Sequence, residues 1–190
     1  MPEGITGVVL LAAGLSSRFE GDKLAACFNG KPLWTWAAQA CEVAGFAKRI
    51  IVVGERTRLQ PDRSEWDMVV NPHPEDGLSS SIRAGVAAAA ECDRVVLALA
   101  DMPFVTPDHL RRLADEAGTV LTRQNDGRPG VPAGFSSRDF GSLLDLSGDR
   151  GAAAVAGRGA RIVEPATPGM LRDVDTRADL VRFARDAVPG

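Results

Sequence analysis

Val8-Val9-Leu10-Leu11-Ala12-Ala13-Gly14-Leu15-Ser16-Ser17-Arg18-Phe19-Glu20-Gly21-Asp22-Lys23 is the stretch whose reading decides the fold. Two valines and two leucines give way to small residues, then to hydroxyls, then to two cations. A near-continuous apolar run predicts a strand buried on both faces, so residues 5–11 read as a central strand of a parallel sheet. Small side chains just after it let main-chain N–H groups approach an anion, and Arg18 and Lys23 supply positive charge. The segment reads as a triphosphate cradle, although an ordinary βα loop with surface cations has the same spacing. Neither G-x-x-x-x-G-K-[ST] nor G-x-G-x-x-G is present, because the glycine after Gly14 is Gly21.

Outward from this loop, Pro32 suits a first helical turn, and Leu33, Trp36, Ala37, Ala40 and Cys41 recur at helical spacing up to Gly45. Residues 49–53 and 66–70 are further strands, closed by Gly54 and by Asn71-Pro72. Strand, helix and strand at this rhythm predict right-handed parallel units. Ser79, Ser80 and Ser81 suit the cap of an alanine-rich helix that follows Gly77. Residues 94–100 form a strand that runs into Asp101-Met102-Pro103, and Thr106 caps the next helix with Pro107 at its first position. Residues 119–123 and 128–131 read as a hairpin, and a short helix starts at Ser136. Strands at 161–164 and 171–175 precede a terminal helix that Thr176 and Asp179 open as a capping box. The expectation is one domain over residues 1–190, a three-layer α/β/α arrangement with a mainly parallel, Rossmann-like sheet.

Composition narrows the function. Hydrophobic residues make up 45% and charged residues 25% of the chain, ordinary values for a globular protein. A net charge of −3 gives no overall field for nucleic acid, so phosphate affinity must come from local cations and the expected substrate is a small anion. Cys27, Cys41 and Cys92 are odd in number and widely spaced, with only His73 and His109 beside them. Neither a disulfide framework nor a zinc site follows, and a reducing cytoplasmic setting is expected. The sequence contains no signal-peptide pattern and no apolar run of about 18 residues, so no membrane association is expected.

The first loop resembles the signature L-A-A-G-x-S-x-R followed by G-x-K of the MobA-like and MocA-like NTP transferases, and more narrowly of the molybdenum cofactor cytidylyltransferase branch. Glu20 stands where such loops often carry a small residue. The segment from Gly77 to Gly85 resembles that branch's G-L-S-x-S-[ILV]-x-x-G, Ala100-Asp101-Met102-Pro103 its [AG]-D-M-P, and Asp173-Val174-Asp175-Thr176 its D-[IV]-D-T. The stretch from Gly127 to Phe135 is similar to an acceptor-side element, with Val131 where many relatives have histidine, and residues 146–151 to an L-x-G-D-x-G element that includes Asp149.

The resemblance implies the fold of a nucleotide-diphospho-sugar transferase and transfer of CMP from CTP to molybdopterin. Another NTP, a sugar phosphate acceptor or a non-catalytic nucleotide or pterin carrier are the alternatives. It implies nucleotide contacts from Leu11, Ala12, Ala13, Gly14, Ser16, Arg18, Lys23, Gly77, Ser79, Ser81 and Asp101, with Lys23, Arg18 and Asp101 catalytic. Asp101 and Asp175 would hold Mg2+, and a molybdoenzyme or its chaperone would receive the product. Read without the resemblance, Asp101 is also a strand stop, and Asp173 and Asp175 also favour a helix N-terminus through its dipole. If residues 171–175 are a strand, Asp173 and Asp175 face the same way.

Overall fold

The structure is a computed structural model that describes residues 4–14, 18–19, 21–62, 64–148, 150–157 and 159–184. In chain order the elements are β1 (Thr6–Ala12), β2 (Cys27–Phe28), β3 (Lys31–Pro32), α1 (Trp34–Ala44), β4 (Lys48–Gly54) and β5 (Asp67–Asn71). They continue with α2 (Leu78–Ala88), β6 (Arg94–Leu99), α3 (Pro107–Asp115), β7 (Val120–Arg123), β8 (Pro129–Ser136), α4 (Phe140–Leu144), β9 (Arg161–Val163) and α5 (Arg177–Phe183). Among the described residues, seven strands form one sheet in the order β5-β4-β1-β6-β8-β7-β9. β4 and β6 flank β1 in parallel, β5 pairs in parallel with β4 and β9 with β7, while β8 runs antiparallel between β6 and β7.

Alternation along β1 produces the layers. Val8, Leu10 and Ala12 point into a core closed by α1 and α3, through residues such as Ala37, Cys41, Leu110 and Leu113. Val9, Leu11 and Ala13 point the other way, into a core closed by Ile82, Val86, Phe140 and Leu143 of α2 and α4. A strand covered on both faces has no polar face to show, which is why its sequence is a run rather than an alternation. β1 carries the chain outward to one side and β6 to the other, so a crevice opens between their carboxyl ends. No described helix is long and apolar enough to cross a membrane.

Four expectations are corrected. Pro32 does not open a helix: it pairs with Cys27 across a short antiparallel hairpin, and α1 begins at Trp34. Asn29 and Gly30, with φ of 48° and 87°, make its turn, and Asn-Gly is a strong hairpin signal in any sequence. The serines are not caps, since Gly77 holds the N-cap position of α2 and no side chain caps it. Ser80 Oγ instead donates to the Gly77 carbonyl at 2.8 Å. β7 and β8 pair as the expected hairpin, but β8 is twice the expected length and also pairs with β6 on its other side. Residues 171–175 form no strand, so alternation does not set the directions of Asp173 and Asp175.

Candidate active site at the carboxyl edge of the sheet

Lys23 is buried, at 7% exposure, although it lies on the loop after β1. Phe19 and Leu24 on either side are buried in the same core as the inner face of α1. Asp22 Oδ1 accepts from the Ala25 N–H at 3.2 Å, and the hairpin closes the turn through Leu33 N–H to Ala26 O at 2.9 Å and Trp34 N–H to Leu24 O at 3.2 Å. The Lys23 ammonium donates to Asp101 Oδ2 at 2.7 Å and to Asp175 Oδ1 at 3.4 Å. Arg18 reaches Asp175 Oδ2 at 3.1 Å from the solvent side.

The two carboxylates come from distant parts of the chain. Asp101 follows β6 at the mouth of the crevice, with Oδ1 buried and without a hydrogen-bond partner among the described residues. Asp175 sits just before α5, where the capping box holds it: Asp179 accepts from the amides of Asp175 at 3.2 Å and Thr176 at 2.8 Å. Asp173 lies close enough to feel both. Desolvation first, then the charges of Asp175 and Asp101, raise its carboxyl above the ordinary range, against the lowering effect of its own amide and of Lys23.

Beside this cluster lies a cleft of about 820 Å3. Ala12, Ala13, Gly14, Gly21 and Asp22 line one side, and the loops after β4 and β5 line the other. Its volume suits a nucleotide-sized ligand. Those far walls, Gly54 to Leu59 with Pro72, Pro74 and Glu75, were not singled out in the sequence. Strand ends at Gly54 and Asn71 were the available signal, because ligands of open α/β sheets sit outside the carboxyl ends of the strands.

Of the sequence-derived site residues, the structure brings Arg18, Lys23, Asp101 and Asp175 together and sets Ala12, Ala13 and Gly14 along the cleft. Leu11 is 6% exposed within β1. Ser79 is fully buried, and Ser81 is nearly so, its hydroxyl accepting from Asn71 Nδ2 at 3.0 Å. Neither lines the cleft, and Gly77 does not either. Ser16, Glu20 and Asp149 lie outside the described residues. Val131, at 9% exposure, packs into the core under α2 and α4.

The donor set fits a hard divalent cation. Asp101 offers a bare buried oxygen and Asp175 a second carboxylate, which matches the one or two carboxylates that Mg2+ takes alongside substrate phosphates. Lys23 occupying the space between them is a cation standing where a cation is wanted.

An α/β sheet that carries a cation, two carboxylates and a nucleotide-sized cleft on its carboxyl edge is a nucleotide-handling domain. Residues 8–162 match the family model described as MobA-like NTP transferase domain, and the chain belongs to that family of nucleotidyltransferases. It is 30% identical over 198 residues to the purine catabolism protein PucB of Bacillus subtilis, across 93% of this chain and 95% of PucB. Over 108 residues it is 32% identical to the molybdenum cofactor guanylyltransferase of Xanthomonas euvesicatoria, covering 57% of this chain and 52% of that protein. Rv0371c of Mycobacterium tuberculosis superposes with a TM-score of 0.77 and 30% identity over 97% of this chain and all of that one. The same protein has also been solved in complex with manganese, with a TM-score of 0.73 and 27% identity, over 97% of this chain and all of that one. The mostly parallel seven-stranded sheet is thus that of the nucleotide-diphospho-sugar transferase type.

Proposed function

We propose that this protein transfers CMP from CTP to molybdopterin and releases pyrophosphate. The observation that carries the reading is the buried Lys23 ammonium held between Asp101 and Asp175 beside the cleft. A phosphate oxygen of the acceptor attacks the α-phosphorus of CTP, a new P–O bond forms there, and the bond to the β-phosphate bridging oxygen breaks. No general base is required, because a phosphate monoester with a second pKa of about 6 is already mostly dianionic at neutral pH. The chain's part is positioning and neutralisation. Backbone N–H groups after β1 approach the phosphates, Lys23 and Arg18 offset charge on the leaving pyrophosphate, and the cleft walls hold the nucleoside. Asp101 and Asp175 are the residues that would hold Mg2+, which would supply further neutralisation of the triphosphate.

The choice of cytosine is supported by resemblance, through Ala12-Ala13-Gly14 and the Gly77 to Gly85 segment. The hydroxyls of Ser79 and Ser81 are buried and neither residue lines the cleft, so that segment supports the reading by resemblance alone. Molybdopterin as acceptor is supported by the similarity to the Xanthomonas molybdenum cofactor guanylyltransferase. The test is pyrophosphate release with each of the four ribonucleoside triphosphates, paired with molybdopterin and with sugar phosphates. CTP with molybdopterin is expected to give the highest kcat/KM. A preference for GTP would move the base, a sugar phosphate would move the acceptor, and binding without pyrophosphate would replace the enzyme with a carrier.

A further inference from the structure

Lys23 is placed unusually for a residue whose task is to meet phosphates. It is less exposed than either of its partners, whose side chains are 22% and 33% accessible, and it spans both with one ammonium. Backbone, not charge, fixes the gap it fills: the Val174 N–H donates to the Asp101 carbonyl at 3.0 Å, so the two carboxylate-bearing segments are fastened together independently of their side chains. Two carboxylates this close repel each other unless a cation lies between them. Among the described residues, no group of three or more acidic, histidine or cysteine side chains is arranged to hold a metal ion, so without substrate phosphates the pair is a poor trap for one.

We propose that Lys23 is the resident counter-cation of this site, holding Asp101 and Asp175 in the nucleotide-free protein and giving its place to a divalent ion only when a triphosphate arrives to take over the ammonium. The exchange keeps the carboxylate pair neutralised at each stage. Before it, one ammonium and the Arg18 guanidinium face two carboxylates; after it, the metal faces the carboxylates and both cations face the triphosphate. Arg18 is suited to the same handover, since its side chain is 76% exposed and its tip meets Asp175 Oδ2 at 3.1 Å. The consequence is ordered loading: metal and nucleotide enter together, and metal alone is kept out. This rests on Asp101 and Asp175 being the metal-bearing pair, and not on which base or acceptor is used.

The test is Mn2+ binding to nucleotide-free protein, read as loss of the free-ion paramagnetic resonance signal. Lys23→Met, close in length and uncharged, is expected to bind Mn2+ at least about tenfold tighter than wild type, because a like charge within a few ångströms has been removed. A non-hydrolysable CTP analogue should bring wild type up toward the variant. Lys23→Arg, which keeps the cation, should stay as weak as wild type. If Lys23→Met unfolds without metal, Mn2+ is expected to refold it. Mn2+ binding no tighter in Lys23→Met than in wild type, or no refolding by Mn2+, would overturn the exchange. Adding Asp101→Asn to Lys23→Met is expected to abolish the gained site; its survival would show instead that Asp101 carries no metal. A nucleotide panel that favoured GTP would leave these nucleotide-free measurements untouched.

Discussion

The main-chain N–H of Val174 donates to the carbonyl oxygen of Asp101 at 3.0 Å, tying the segment before α5 to the end of β6. Both activity and stability depend on the Asp101 carboxylate. Losing its carboxylate leaves the backbone tie intact but strands the buried Lys23 ammonium with Asp175 alone, at 3.4 Å. Asp101→Ala is expected to lower kcat about a thousandfold or more and also to cost about 1–3 kcal/mol of unfolding free energy. The Asp101→Ala, Lys23→Met double variant should regain most of the stability and none of the activity, as measured by urea unfolding beside pyrophosphate release. A double variant no more stable than the single one would mean that the pair contributes nothing to folding.

Arg18 should behave in the opposite way. Its ion pair with Asp175 is largely exposed, and exposed pairs contribute little to stability. Arg18→Ala should leave the unfolding free energy within about 0.5 kcal/mol of wild type. It should raise the KM for nucleoside triphosphate about tenfold, the scale of one charge-assisted hydrogen bond. Raising the ionic strength should narrow that gap. A stability loss without a change in KM would make Arg18 a structural residue.

Gly85 decides how closely α2 lies on the sheet. A Cβ there would stand 2.3 Å from Val9 Cγ1 and 3.0 Å from Val52 Cγ2, on stiff side chains of β1 and β4. Alanine normally favours a helix over glycine, so a gain in stability is the naive expectation. Overpacking wins here, and Gly85→Ala should cost about 1–3 kcal/mol, seen as a lower Tm. An unchanged or raised Tm would show that α2 can lift off the sheet at no cost.

Much of this site was legible because its parts lie where hydrophobic runs end. The Ala12 to Lys23 loop and Asp101 each follow a strand so apolar that its limits are plain in the sequence. Their meeting was not legible: Lys23 is 78 positions from Asp101 and 152 from Asp175, and local periodicity carries no information across such gaps. Asp175 was placed near the metal by motif, on a strand that does not form. Met170, Leu171 and Val174 are buried there by loop packing, which has no period. The serines misled for a different reason. Hydroxyls before a helix usually cap it, but Asn71 at the end of β5 takes Ser80 and Ser81 as side-chain partners at 2.8 and 3.0 Å, a contact between elements that only the folded chain defines.

His109, at 1% exposure on α3, makes the stability of the fold depend on pH. Its Nε2 lies 2.8 Å from Thr122 Oγ1, and that hydroxyl donates to the Pro132 carbonyl at 2.6 Å. With the Thr122 hydrogen committed to the carbonyl, its oxygen accepts from the imidazole, so the neutral ring carries its proton on Nε2. A second proton would have to sit on Nδ1, which is buried and has no partner among the described residues. Desolvation first, and the charge of Arg112 second, push the pKa down to about 4 from an ordinary value of 6.5. The unfolded chain therefore binds the extra proton at a higher pH than the folded one. The stability is fully present above about 6.5 and is lost as pH falls toward about 4, by up to about 3 kcal/mol. Because Thr122 and Pro132 join β7 to β8, hydrogen exchange in those strands should quicken over the same range. His109→Gln, whose amide can still donate to Thr122, should be less stable than wild type near neutrality and should show a shallower slope of unfolding free energy between about pH 6.5 and 4. Urea unfolding of both proteins across that range decides it: parallel curves would mean that His109 titrates normally in the folded chain and that the acid sensitivity lies elsewhere.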